Sequence, residues 1–175
     1  MTNCSAGLIG ATFIVAVLSA PIYAKNQVDL WEGVVIGDLK PLERALEAGL
    51  DPNVREPNGS TPLIIAAMWG QTSVVSFLVE NKAKLNIQNN QGTTALHVAA
   101  FFGYPEAVEL LLAAGAASDI RNDDGQTPLD SVSGPWSPVL EGIYAFFDVT
   151  FQMGLDIDRI REVRPEVHNI LRTLN

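Results

Sequence analysis

The apolar residues of this chain fall into three patterns. Leu8 to Ala20 (LIGATFIVAVLSA) is one continuous apolar run that stops at Pro21. From Asp29 to Ser133 the apolar positions come as pairs of short clusters at helical spacing. Ile64-Ile65-Ala66-Ala67 is followed by Val74, Val75, Leu78 and Val79. His97-Val98-Ala99-Ala100 is followed in the same way by Ala107, Val108, Leu111 and Leu112. Further on, Val139, Ile143, Phe146, Phe147 and Phe151 recur at helical spacing, with Leu140 and Tyr144 widening the stripe. These patterns predict an all-α fold.

Polar punctuation between the clusters is periodic. Gly59, Gly92 and Gly125 stand 33 residues apart, and Thr61-Pro62-Leu63, Thr94-Ala95-Leu96 and Thr127-Pro128-Leu129 follow them at one offset. Gly37, Gly70 and Gly103 share the period, as do Asn53, Asn86 and Asp119. Agreement among independent sets of positions is the mark of a repeat architecture. Each unit reads as a turn, a threonine cap, a short Ala-rich helix ended by glycine, and a second helix. Gly49 and Gly115 provide left-handed stops after the second helix. The middle unit has Lys82 there, at an expected cost on the order of 1 kcal/mol.

The phrases GSTPLIIAAMWGQTSVVSFLV, GTTALHVAAFFGYPEAVELLLAAGA and DGQTPLD give the stretch from about Asp29 to Asp130 its resemblance to the ankyrin repeat. The resemblance implies a solenoid of about four helix–turn–helix units, with hairpin-like loops on one side and a function in binding other proteins. The units are placed at 28–55, 56–88, 89–121 and 122–175. In the first unit, which lacks the Thr-Pro-Leu turn, Lys40, Glu43, Arg44 and Glu47 fit the solvated face of a terminal cap. His97 lies where the family's Thr-Pro-Leu-His motif has its histidine, which implies a hydrogen bond between units. The corresponding positions hold Trp31, Ile64 and Asp130, so no histidine array is built.

After Ser133 the pattern fails. RPEVHNILR at 164–172 matches YPEAVELLL at 104–112 through its Pro-Glu and a leucine. The fourth unit therefore reads as split, with first helix near Pro128 to Ser133, second near Pro165 to Leu174, and an insertion at about 134–163. Alternatively the array ends at Ser133 and a different helical tail follows. Within the insertion, Asp156 is expected to cap a short helix from Ile157 to Val163. The aromatic insertion helix either packs on the last repeat as a cap or offers an apolar face to a partner. Exposed aromatics could also pair two copies.

In the ankyrin pattern the two residues before each inner-helix glycine face the concave groove. Here they are Val35, Ile36, Met68, Trp69, Phe101 and Phe102. Large apolar residues of this kind anchor protein interfaces. The column is either open to a partner or covered by the insertion helix, or covered only at Phe101 and Phe102. The hairpin tips form a second candidate surface, carried by Arg55, Glu56, Asn58, Asn89, Asn90, Arg121 and Asp123.

Charge narrows the choice of partner. The chain has 11 Lys+Arg against 20 Asp+Glu, a formal charge of -9. Nucleic acid and anionic membrane surfaces would be repelled. The N-terminal run, ending at Tyr23-Ala24, has the layout of a secretory signal peptide, although MTNC carries no Lys or Arg. Residues 1–24 are expected to be cleaved, leaving 25–175 in the periplasm or secreted; the alternative is an uncleaved inner-membrane anchor. The lone Cys4 lacks a lipobox, and its loss with the leader would leave no cysteine. Asn58-Gly59-Ser60 formally matches a glycosylation acceptor, but the repeat already requires these residue types.

There is no Gly-rich phosphate loop, nucleophile elbow or metal-ligand spacing, and His168 has no ligand partner nearby in sequence. No catalytic residue, cofactor or metal is therefore expected. An enzyme or small-ligand pocket at the insertion would have to draw on Asp148, Asp156, Asp158 and His168. The expected function is a non-catalytic protein–protein interaction module acting after export on another, exported protein.

Overall fold

A computed structural model describes residues 23–173, with side chains from Asp29 onward. Residues 1–22, which carry the leader's apolar run, lie outside the described residues. Among the described residues there are helices and no strands: α1 (Tyr23–Ile36), α2 (Leu39–Glu47), α3 (Pro62–Met68), α4 (Thr72–Glu80), α5 (Ala95–Phe101), α6 (Pro105–Ala113), α7 (Pro128–Ser133), α8 (Pro138–Phe151) and α9 (Ile157–Thr173). Helices α1, α3, α5 and α7 stack side by side as an inner layer, and α2, α4, α6 and α9 form the outer layer.

The short inner helices exist because their ends are supplied locally. Thr61 Oγ1 accepts from the Ile64 amide at 3.3 Å, and Thr127 Oγ1 accepts from the Asp130 amide at 3.2 Å. Alanines then let neighbouring inner helices approach: Ala66, Ala67, Ala99 and Ala100 are fully buried. The outer layer contributes Val74, Val75, Leu78, Ala107, Val108 and Leu111 to the same continuous core.

Successive units are stapled at the period of the repeat. Asn53 Oδ1 accepts from the Lys84 amide at 2.7 Å, and Asn86 Oδ1 accepts from the Ala117 amide at 2.9 Å. A glycine closes each of the inner helices α1, α3 and α5 where a later element crowds it. At Gly70 (φ +67) a Cβ would lie 2.5 Å from the Tyr104 ring. Lys82 does hold a left-handed backbone, with φ 64. In the terminal unit Lys40, Glu43, Arg44 and Glu47 are exposed, as expected of a cap.

The C-terminal helix differs from expectation in one respect. Asp156 Oδ1 caps its start, accepting from the Arg159 amide at 2.9 Å. The helix then continues to Thr173 through Pro165 rather than stopping at Val163. Pro165 and Arg161, whose carbonyl the proline leaves without its helical donor, are both exposed, so water can serve that carbonyl. Val167 and Leu171 enter the solenoid core, and Ile160 enters a second, aromatic cluster.

Candidate functional site

Two surfaces carry the candidate residues. The first is the column at the inner-helix ends. Its N-terminal end is the more open: Ile36 is 64% exposed, Val35 and Trp69 are half-buried against the solenoid core, and Met68 is half-buried against the aromatic cluster. Its C-terminal part is closed. Phe102 is 2% exposed, so it is core and not contact surface, a correction to its reading as a partner-binding residue. Phe101 is half-buried beneath the insertion helix for the same reason.

The cover is α8. Phe101 stacks on Tyr144 with ring centroids 4.8 Å apart, and Phe102 meets Phe147 edge-on at 5.3 Å. Trp136, just ahead of α8, stacks on the other side of Tyr144 at 5.5 Å. The Tyr144 hydroxyl donates to the Phe101 carbonyl at 2.5 Å and accepts from Arg164 Nη1 at 3.2 Å. Arg164 Nη2 donates to the Ser131 carbonyl at 2.6 Å. The guanidinium thus sits at the carbonyl end of α7, where the helix dipole favours a cation, and reaches the end of α5 only through the Tyr144 hydroxyl. It is buried, and no carboxylate pairs with it among the described residues. Burial pushes the Tyr144 phenol up to about 12, against a smaller opposing pull from Arg164.

The insertion stripe does not act as one face. Tyr144 is fully buried, and Leu140 and Phe147 pack beside it. Val139, Ile143 and Phe146 point away and are exposed. Arg164 was not singled out by sequence. Its signal is Tyr144 itself, since a tyrosine within an apolar stripe requires a partner for its hydroxyl when buried.

The second surface is the row of hairpin tips, which is bonded from unit to unit. The Asn90 amide donates to the Asn58 carbonyl at 2.9 Å, and the Asp123 amide donates to the Gln91 carbonyl at 3.1 Å. Arg55 Nη2 donates to the Gln88 carbonyl at 2.7 Å, and Asn90 Nδ2 donates to the Pro57 carbonyl at 3.2 Å. Glu56 is only 7% exposed, because its carboxylate accepts from the Asn58 and Ser60 amides. It shapes the turn from inside and is corrected from a surface residue to a structural one. Asn89 does similar work for the next turn, accepting from Gln91 and Thr93. Arg55, Asn90, Arg121 and Asp123 remain exposed.

His97 is part of the scaffold. Its Nδ1 lies 3.3 Å from the Thr94 amide, which donates to it, and 2.8 Å from the Thr94 hydroxyl. Its Nε2 lies 3.0 Å from the Gln126 carbonyl in the next unit. These partners call for a neutral ring with its proton on Nε2. Burial lowers the His97 pKa, and the Gln126 contact opposes this only in part. The acids weighed for an enzyme pocket are spent locally: Asp148 on the Leu155 amide, Asp156 on the helix cap and Asp158 on Arg161. Among the described residues no group of three or more His, Cys, Asp or Glu is placed to hold a metal ion. Nor is any helix there long and apolar enough to cross a membrane.

No curated protein matches the chain. A family model described as ankyrin repeats (3 copies) matches residues 32–124, more than half of its length. Ankyrin repeats are generally protein–protein interaction modules and are typically not catalytic. With its stacked helix pairs, its inter-unit asparagine bonds and that match, the chain belongs to the ankyrin-repeat family.

Proposed function

We propose that this chain is a non-catalytic binding module that acts after export and holds an exported protein through the open end of its concave face. The observation that carries the reading is the division of the apolar column. The chain covers Phe101 and Phe102 with its own helix and half-buries Met68 and Trp69, yet leaves Ile36 64% exposed at the other end of the column. A tryptophan with apolar neighbours on a rigid stack is the kind of anchor that binds with little ordering cost. The hairpin tips supply the polar rim through their exposed residues Arg55, Asn90, Arg121 and Asp123. Export rests on the leader-like run from Leu8 to Ala20.

The test is affinity capture from the exported fraction of the producing cells, with wild-type protein and an Ile36→Asp variant as baits. Ile36 is exposed, so the variant keeps its fold. A protein retained by the wild type and lost by the variant supports the reading. Retention by both moves the contact to the hairpin tips. Failure of the wild-type bait to retain any specific protein contradicts it. The N-terminus of the native protein is read on the same material, with Lys25 expected at its start.

A further inference from the structure

Helix α8 is apolar on two sides. Leu140, Tyr144 and Phe147 pack into the aromatic cluster. Val139, Ile143, Phe146 and Val149 turn outward and are 72%, 37%, 45% and 81% exposed. The helix's two acids do not interrupt this outer side. Glu141 is held by Arg161 at 2.9 Å and by Trp136 Nε1 at 3.2 Å, and Asp148 accepts from the Leu155 amide at 2.7 Å. A helix serving only as a cap would be polar there.

The order of the residues indicates what covers the face. Val139, Gly142, Phe146 and Val149 are spaced 3, 4 and 3 apart, the a–d–a–d seam of a helix pair. The seam has the same spacing when read backwards. An antiparallel second copy, related by a two-fold axis beside Tyr144, sets Val139 against the second copy's Val149. It also sets Gly142 against the second copy's Phe146, large into small, and the symmetry repeats both contacts. Gly142 is exposed, and a Cβ there would meet nothing within 4 Å, so the monomer has no steric need for glycine mid-helix. Pairing across this face sets no carboxylate of one copy against its counterpart in the other, which limits the added repulsion between two chains of charge -9. A basic partner would find no carboxylate on the seam, and an acidic partner no cation.

We propose that the chain forms a two-fold homodimer through antiparallel pairing of α8, with Val139, Gly142, Phe146 and Val149 as the seam and Ile143 at its edge. The pairing is independent of the concave-face reading, and either can fail alone.

Sedimentation equilibrium of the full chain tests it. A seam of this size lies at the small end for specific interfaces, so reversible dimers with a dissociation constant on the order of 10 μM are expected. Gly142→Gln projects into open space and should leave the melting temperature unchanged or raised, while weakening association at least about tenfold. A Cys4→Ser/Val139→Cys/Val149→Cys variant should oxidise to a covalent dimer. Within one chain those cysteines stand about 15 Å apart along the helix, too far to join. A chain that stays monomeric at about 200 μM, as it would if a different protein covers this face, overturns the proposal. So does a dimer indifferent to Gly142→Gln, or a failure of the double-cysteine chain to cross-link.

Discussion

The Tyr144 hydroxyl donates to the Phe101 carbonyl across 2.5 Å, and the two rings stack 4.8 Å apart. The bond joins the middle of the insertion helix to the last turn of an inner helix 43 residues earlier. Carbonyls at a helix C-terminus have no partner within the helix. The insertion satisfies one of them and closes the Phe101–Phe102 end of the groove in the same contact.

Tyr144 and Arg164 should act as a unit. Tyr144→Phe removes the donor to Phe101 and an acceptor from a buried guanidinium, for a loss of about 1–3 kcal/mol. Arg164→Met removes the cation and its bond to Ser131 while filling similar space. Urea denaturation of both single variants and the double variant should give a coupling energy of about 0.5–3 kcal/mol. Strict additivity would show that the hydrogen bond between the two side chains carries no stability.

Alkaline pH should loosen the fold through the same tyrosine. The folded phenol is raised to about 12 from 10.0, so the unfolded chain releases this proton first. The associated stability is whole below pH 10 and is lost as the pH rises towards 12. Burial raises Tyr104 in the same direction. Tyr144→Phe should therefore reduce, without abolishing, the fall in urea midpoint over that range.

His97 gives the opposite dependence on the acid side. Its folded pKa is depressed below 6.5, so the unfolded chain takes up a proton that the folded chain refuses. Stability should fall as the pH drops below 6.5 and level off beneath the folded value. In His97→Gln that stretch of the profile should flatten, as read by thermal melts from neutral pH downward. An unchanged slope would place the titration elsewhere.

Lys82→Gly should stabilise the protein by about 0.5–1 kcal/mol, because Lys82 holds φ 64 where the neighbouring units have glycine. Its side chain is exposed, so little packing is lost. A lower melting temperature in the variant would refute this.

The solenoid was legible because each of its devices repeats. The Asn53 and Asn86 staples, the Gly70 and Gly103 approaches and the threonine caps recur at one period and mark themselves in the sequence. The insertion occurs once, so no period marks it. Helical spacing showed that Val139, Tyr144 and Phe147 share a helix, but not which side meets the solenoid. That side is chosen by long-range partners, the Phe101 carbonyl and Arg164, which local pattern does not disclose. Glu56 was misplaced for a related reason. A charged residue in a turn reads as surface, and only the turn's own amides, folded back onto its carboxylate, bury it.

The division of the groove is tested most directly by hydroxyl-radical footprinting of the dilute wild-type chain, read residue by residue by mass spectrometry. Phe102 and Phe146 have the same intrinsic reactivity but are 2% and 45% exposed. Phe146 and Ile36 should be oxidised readily, while Phe102 and Tyr144 stay protected. Oxidation of Phe102 as fast as Phe146 would mean that α8 does not lie over the groove.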